Sequence, residues 1–160
     1  YLALVWGDFA EDEGTIEGNI GRSPKDRTVM QVFPDGEHGK TAVTHWKVVE
    51  RFTYTTLVEC KLETGRTHQI RVHMQNEGHP ILCDELYGDP KPILLSTFKK
   101  NFKLSKKEDE ERPLLNRMAL HAAKLILPLP DGKKLTLEAP LPKDLMAFLN
   151  QIRKLKKKVQ

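Results

Sequence analysis

The chain has 160 residues, enough for one ordinary domain with a hydrophobic core and too few for two substantial domains. Hydrophobic residues make up 39% and charged residues 30% of the composition, which excludes fibrous, collagenous and wholly disordered classes. No apolar run is long enough for a transmembrane helix, so we expect no membrane partner. The formal net charge of +4 favours a polyanionic partner without requiring one.

The first segment, from Tyr1 to Gly7, has the apolar and β-branched composition of a strand. It lacks the basic stretch and the small-residue cleavage site of a signal peptide, so we expect a strand that begins in mid-domain. The two cysteines, Cys60 and Cys83, have no CxxC spacing, and we expect both to be reduced thiols. These features predict a cytoplasmic protein.

An antiparallel hairpin is predicted in the first half of the chain. From Tyr54 to Leu62 alternate residues share one face, which predicts a half-buried strand. Residues 42–50 carry the β-branched and aromatic side chains that suit a second strand, and residues 51–53 separate the two.

A short helix is predicted next. Thr67 can cap its N-terminus, apolar residues recur at helical spacing up to Glu77, and Gly78 can end it in the left-handed conformation. A helix this short depends on tertiary packing for its stability.

Three features are predicted in the second half. The lysine- and glutamate-rich segment 98–112, within an insertion at about 91–112, is expected to be a loop or a solvated helix. A second hairpin is predicted around Pro130-Asp131-Gly132, because proline presets φ and glycine accepts a positive φ. A longer helix with an apolar stripe is predicted from about Pro142 to Leu155, and its basic end at 153–158 is more typical of a solvated helix end than of a contact with a polyanion.

The residues most suited to chemistry lie in the segment 64–88. Arg66 and Arg71 flank a strand-to-helix junction, where guanidinium groups and free backbone N–H groups favour a phosphate or carboxylate. A structural alternative is that both arginines form ion pairs and that His73 is a satisfied core side chain. The residues alone leave both interpretations open.

Other chemistries fit the sequence poorly. His68 and His73 are five residues apart, which places them about 140° apart around a helix, so a zinc site with His79 is not predicted. No serine lies in a GxSxG elbow, and no P-loop or dinucleotide-binding motif occurs. We therefore assign no metal ligands.

One long motif resembles a known family. The run from Leu62 to His73, followed by Gly78-His79-Pro80-Ile81 and by the segment from Asp84 to Gly88, resembles the motif of the RluA/RluD-type RNA pseudouridine synthases. The resemblance covers nearly the whole chain, and the other matching blocks are residues 1–5, 21–24, 39–42, 120–122 and 139–142.

The resemblance implies isomerisation of uridine to pseudouridine in structured ribosomal or transfer RNA, with no metal and no cofactor. It implies that Tyr1 stacks on the uracil and that Arg71 ion-pairs with a nucleophilic aspartate. In the family that aspartate lies in a His-Arg-Leu-Asp block upstream of the tyrosine strand, and these 160 residues lack the block. We therefore expect the nucleophile outside this chain, and we interpret Asp84 as a structural hydrogen-bond acceptor.

Further site residues follow from the same resemblance. Ile70 and Ile81 are assigned to the apolar wall of the substrate pocket, and Arg66, His68 and Lys40 are candidate RNA contacts. For Lys40, a solvated surface charge is an equal alternative.

The expected fold is α+β, with a mixed, mainly antiparallel sheet and short flanking helices. Residues 1–160 are expected to form the C-terminal part of a single catalytic domain that is inactive by itself. Two alternatives stay open: a non-catalytic RNA-binding module derived from the same fold, and an accessory domain with no RNA role.

Overall fold

The computed structural model describes residues 1–105 and 110–157, which form nine strands and three helices. No helix in this part of the chain is both long and apolar enough to cross a membrane. The elements are β1 (Leu2–Trp6), β2 (Glu13–Glu17), β3 (Asn19–Arg22), β4 (Met30–Phe33), β5 (Val43–Arg51), β6 (Thr55–Leu62), α1 (Gln69–Asn76), α2 (Leu95–Phe98), β7 (Leu120–His121), β8 (Lys124–Pro128), β9 (Lys134–Glu138) and α3 (Lys143–Lys157).

The main sheet has five strands in the order β2-β5-β6-β1-β7, and β3-β4 and β8-β9 form two smaller sheets. Every strand pair found in the described residues is antiparallel. The hairpin of β5 and β6 is confirmed, with Trp46 opposite Cys60. The expected α+β fold with a mainly antiparallel sheet is therefore confirmed.

Strand β6 is buried more deeply than its alternating pattern predicts. Thr55 and Leu57, on the face expected to meet solvent, are 0% and 5% exposed, and only Glu59 and Lys61 of that face are exposed. Leu57 belongs to the main core together with Phe148 of α3. The prediction of a half-buried strand is thus wrong for the first half of β6, because the core gathers residues that are distant in sequence.

Helix α1 begins one residue later than predicted. Its N-cap is His68, whose backbone is left-handed (φ 56°, ψ 23°) and whose side chain makes no capping hydrogen bond. The prediction of Thr67 as the N-cap is therefore wrong. The side chain of Gln69 instead braces the loop before the helix, because its Oε1 accepts a hydrogen bond from the backbone N–H of Arg66 at 3.0 Å.

The end of α1 is as predicted. Gly78 has φ 81°, and its N–H donates to the carbonyl of Gln75. The N–H of His79 donates to the carbonyl of Met74. These two bonds form a Schellman motif, which satisfies carbonyls that the helix leaves unpaired.

Helix α3 confirms the predicted apolar stripe. Leu145, Phe148, Leu149 and Ile152 are at most 3% exposed, and all four join the main core. The basic end continues to the last described helical residue, Lys157, and residue 158 of the predicted tail lies outside the described residues.

The second predicted hairpin is formed by β8 and β9, with Leu125 opposite Leu137. Gly132 has φ 81° in the turn, and its N–H donates to the carbonyl of Leu129. Every residue of both strands is exposed, including Ile126 at 52%. The hairpin therefore stands apart from the main core.

The predicted insertion is anchored at its ends. Ile93 is 4% exposed and pairs with Leu115, and Phe98 of α2 stacks on Trp6 with ring centroids 6.3 Å apart. Residues 99–105 and 110–112 contain no helix or strand, and residues 106–109 of the insertion lie outside the described residues.

Both cysteines, Cys60 and Cys83, are free and buried, which agrees with the prediction of reduced thiols. Burial raises the pKa of the Cys60 thiol to about 12 and also raises the pKa of Cys83. Both groups are therefore held as neutral thiols near pH 7.

Candidate active site

The motif segment folds around one end of the main sheet. β6 ends beside the start of β1, where the backbone N of Tyr1 donates to the carbonyl of Cys60 at 2.8 Å and the N–H of Cys60 donates to the carbonyl of Tyr1. The loop 63–68 leads from this point to α1. Residues 80–82 then return alongside β1, with Ile81 paired to Val5. The topology thus brings Tyr1, the start of α1 and Asp84 to the same end of the sheet.

Arg71 and Asp84 form a two-point ion pair at this end. Nε of Arg71 donates to Oδ2 of Asp84 at 2.8 Å, and Nη2 donates to Oδ1 at 2.7 Å. The side chain of Asp84 is fully buried, and that of Arg71 is 14% exposed. A paired geometry of this kind fixes the plane of the guanidinium group.

The carboxylate of Asp84 is saturated with donors. Besides Arg71, the backbone N–H groups of Leu86 and Tyr87 both donate to Oδ1 at 3.0 Å. Burial by itself raises the pKa of Asp84, but the hydrogen bonds from Arg71 and from the two N–H groups outweigh it and hold the pKa below its ordinary value. Asp84 is therefore an ionised structural acceptor, as its sequence context predicts.

Tyr87 connects Arg71 to the rest of the site. Its ring lies 5.0 Å from the guanidinium carbon of Arg71, a cation–π distance. Its hydroxyl accepts a 2.7 Å hydrogen bond from the backbone N–H of Met30 and lies 2.9 Å from Nδ1 of His68. Tyr87 is 5% exposed and belongs to a second, smaller core with Ile20 of β3. One aromatic side chain thus joins α1 to the β3-β4 hairpin.

Gln69 organises the loop before α1. Its Oε1 accepts from the hydroxyl of Thr64 at 2.8 Å, and its Nε2 donates to the carbonyl of Val43 at 2.9 Å. Arg66 within this loop donates from Nε to the carbonyl of Thr41 at 2.9 Å. The side chain of Arg66, a predicted RNA contact, is therefore anchored through Nε. Its two Nη groups are unpaired among the described residues.

Lys40 is exposed on the neighbouring hairpin. Its backbone pairs with Ile20 through two 2.9 Å hydrogen bonds. Gly39 precedes it with φ 73°, and a Cβ atom there would lie 2.8 Å from the carbonyl carbon of Ile20. Only glycine allows this close approach. Lys40 keeps the accessibility that an RNA contact requires, and its role stays a prediction.

The other predicted site residues differ in exposure. Tyr1 is 41% exposed at the start of the central strand β1, so its ring is accessible to a base. Ile70 and Ile81 are 4% and 0% exposed and lie in the main core. In this structure neither isoleucine offers surface to a ligand, and their assignment to the pocket wall stays a prediction.

The sequence of this chain is similar to those of known proteins. The sequence model of the family described as RNA pseudouridylate synthase matches residues 1–76. A protein from Nitrosomonas europaea named "Ribosomal large subunit pseudouridine synthase D" is 44% identical over 158 residues, which cover 97% of this chain and 41% of that protein. These matches support assigning the chain to the RluA/RluD-type family of RNA pseudouridine synthases.

Two further matches support the same family assignment. An "Uncharacterized RNA pseudouridine synthase" from Chlorobaculum parvum is 47% identical over 158 residues, covering 96% of this chain and 46% of that protein. The solved structure titled "Human RNA Pseudouridylate Synthase Domain Containing 1" matches with a TM-score of 0.68 and 27% identity, covering 98% of this chain and 64% of that chain. The chain thus spans less than half the length of the two bacterial proteins and about two thirds of the human chain.

Sequence reasoning did not single out two residues that organise this synthase site, Tyr87 and Gln69. Tyr87 was visible only as part of the family motif, because its hydroxyl bonds to residues 57 and 19 positions away. The structural role of Gln69 was easier to predict from sequence, since a glutamine near a predicted helix start is suited to local backbone hydrogen bonds.

The three histidines of the synthase motif have separate partners. His73 is fully buried, with Nδ1 2.8 Å from Oγ1 of Thr44 and Nε2 3.3 Å from the carbonyl of Gly18, so it is the satisfied core side chain of the structural interpretation. His79 lies 2.9 Å from the carbonyl of Trp6. Their partners direct these rings, and that of His68, to three different parts of the fold.

Proposed function

We propose that the protein containing this chain is an RNA pseudouridine synthase that isomerises uridines in structured ribosomal or transfer RNA. The observation that carries the proposal is the Arg71–Asp84 pair at the end of the sheet where Tyr1 lies. Asp84 occupies Nε and Nη2 of Arg71. Nη1 has no hydrogen-bond partner among the described residues, so it can receive a second carboxylate.

In the proposed reaction the bond between C1′ of the ribose and N1 of uracil breaks, a bond between C1′ and C5 forms, the proton on C5 is released to water, and N1 gains a proton from water, so that the product is an isomer of the substrate. Nothing is oxidised or reduced. A nucleophilic aspartate from outside these 160 residues starts the reaction, and Arg71 keeps it ionised by lowering its pKa.

Tyr1 receives the uracil in this proposal. A base must leave its stack to be reached, and stacking on an aromatic ring offsets part of that cost, by about 1–3 kcal/mol per base. The partly exposed ring of Tyr1 supports this role. Arg66 and Lys40 provide charges for the phosphates around the flipped nucleotide.

The relatives support the substrate class. The names of several of them specify the ribosomal large subunit, which favours ribosomal RNA as the first substrate to examine. Transfer RNA is the second substrate of the test below.

The proposal is tested by tritium release from 5-tritiated uridine in ribosomal and transfer RNA. We expect release by the full-length protein, no release by the 160-residue chain, and no release by full-length Arg71→Ala. Arg117→Ala is the matched control, because Arg117 forms an exposed pair with Asp144, and it should retain full activity.

Three results would contradict this assignment. Release by the 160-residue chain would place a nucleophile among these residues. Near-normal release by Arg71→Ala would remove Arg71 from the mechanism. RNA binding without release by the full-length protein would favour the non-catalytic RNA-binding module.

A further inference from the structure

Tyr87 and His68 meet in an arrangement that limits where hydrogens can lie. The backbone N–H of Met30 can only donate, so the Tyr87 hydroxyl oxygen accepts from it at 2.7 Å. Tyr87 is 5% exposed, and Nδ1 of His68 at 2.9 Å is the remaining polar atom bonded to its hydroxyl in the described residues. A buried hydroxyl hydrogen needs an acceptor. The hydroxyl therefore donates to Nδ1, which must be unprotonated.

The surroundings of His68 favour the same state. Arg71 and Arg22 place positive charge near the ring, and Asp84 places negative charge near it. Burial and the arginine charges prevail and lower the pKa of His68 below its ordinary value of 6.5. With Nδ1 unprotonated, the single ring hydrogen is on Nε2.

The backbone of His68 indicates that this orientation is imposed. A left-handed conformation is unfavourable for a residue with a Cβ atom and persists where its surroundings hold it. At His68 (φ 56°) no capping hydrogen bond compensates for it. The contacts of the imidazole with Tyr87 include an edge-on ring contact with centroids 5.5 Å apart.

We propose that Tyr87 is a positioning residue of the RNA site: its hydroxyl holds His68 as the neutral imidazole with hydrogen on Nε2, so that His68 offers RNA a directional donor and no positive charge. This rests on the proposed function, because it assumes that RNA covers this surface. His68 then differs in kind from Arg66, whose guanidinium contributes charge.

The consequence for binding is specific. A charged contact with phosphate releases counterions and steepens the salt dependence of affinity, whereas a neutral donor leaves that dependence unchanged. Loss of one neutral hydrogen bond weakens binding by about two- to tenfold. Glutamine has an amide N–H at a similar reach and can replace the Nε2 donor.

The first test uses the full-length protein with 15N-labelled histidine. At pH 7 the ring nitrogens of His68 should give one protonated and one unprotonated resonance, with hydrogen on Nε2. Tyr87→Phe removes the hydroxyl that donates to Nδ1, so the hydrogen should exchange between the two ring nitrogens and the two resonances should average. Tyr54→Phe is the matched control, since Tyr54 is 47% exposed and lies in the turn between β5 and β6, and it should leave the His68 spectrum unchanged. A His68 imidazolium, or hydrogen on Nδ1, in the unmodified protein would overturn the proposal.

The second test measures the affinity for substrate RNA over a range of salt concentrations. His68→Ala should weaken binding by about two- to tenfold with an unchanged salt slope, and His68→Gln should restore affinity to within about twofold. Arg66→Ala should instead reduce the slope by about 0.9. A reduced slope for His68→Ala, or unchanged affinity, would overturn the role of His68 as a neutral donor.

These results separate the inference from the proposed function. If the full-length protein neither binds RNA nor releases tritium, the proposed function fails, and with it the RNA role of His68. The spectrum of His68 reports on Tyr87 in either case. If Tyr87→Phe does not fold, the spectrum of the unmodified protein and the pair His68→Ala and His68→Gln still decide the question.

Discussion

Thr44 on β5 and His73 on α1 are joined by a 2.8 Å hydrogen bond between Oγ1 and Nδ1, with both side chains fully buried. Nε2 of Gln69 also donates to Oγ1 of Thr44 at 3.0 Å. The bonds run in one direction, from Gln69 through Thr44 and His73 to the carbonyl of Gly18. This chain of bonds fixes α1 against the sheet and thereby sets the position of Arg71.

Replacing Thr44 by valine should lower the free energy of unfolding by about 1–3 kcal/mol, because two buried partners lose their bond. Thr55 provides the matched control. It is also fully buried, but its hydroxyl has no hydrogen-bond partner within residues 1–105 and 110–157. Thr55→Val should therefore be neutral or stabilising by up to about 1 kcal/mol. Urea denaturation of both variants measures the difference, and equal losses would contradict the role assigned to the Thr44–His73 bond.

His73 should make stability depend on pH. Burial lowers its pKa below the ordinary value of 6.5 in the folded state. The unfolded chain then binds the proton more readily, so the stabilisation is complete above pH 6.5 and is lost as the pH falls towards the folded-state pKa. Denaturation between pH 7.5 and about 5 should show a shallower decline for His73→Gln. The exposed His38→Gln is the control, and an unchanged decline in His73→Gln would count against this linkage.

Asp84→Asn should destabilise the protein strongly. The substitution leaves Arg71 with an uncompensated charge in a nearly buried site and weakens the bonds from Leu86 and Tyr87. Removing one partner of a buried ion pair costs about 3–5 kcal/mol. Glu138→Gln breaks the exposed pair with Lys124 and should cost less than about 1 kcal/mol. Similar costs for the two variants would show that the Arg71–Asp84 pair contributes no more than a surface pair.

Arg71 and Arg66 should differ in what they contribute to RNA. Arg71→Ala also leaves the buried carboxylate of Asp84 unpaired, so it should lower stability as Asp84→Asn does. The folded fraction of full-length Arg71→Ala should lack turnover and largely keep its RNA affinity, because the proposed partner of Arg71 in the reaction is a carboxylate. Arg66→Ala should weaken binding and flatten its salt dependence, because its proposed partner is a phosphate. Filter binding at several salt concentrations, alongside tritium release, distinguishes the two. An unchanged salt slope in Arg66→Ala would reject the phosphate contact.

Periodicity was enough to predict the positions of α3 and β6, whereas strands β2, β3, β4 and β7 were not predicted. The stripe of α3 and the alternation around β6 are local patterns, and both elements lie within two residues of their predicted bounds. The family motif placed Arg71 and Asp84 close to the site. The capping preference of Thr67 did not locate the N-cap of α1, because the N-cap is His68, which has a left-handed backbone and makes no side-chain capping hydrogen bond. Tyr87 could not be assigned a role either, since its hydrogen-bond partner Met30 lies far away in sequence, on the β3-β4 hairpin.

The exposed apolar residues of the β8-β9 hairpin should change how the proposed RNA binding responds to different salts. Sulfate strengthens the burial of apolar surface, so it should promote self-association through Leu125, Ile126 and Leu137, which are 48–53% exposed. The same salt weakens contacts between basic residues and phosphate. Sulfate should therefore favour association between copies of the chain while it weakens the proposed RNA contacts, whereas chloride at equal ionic strength should mainly weaken the RNA contacts.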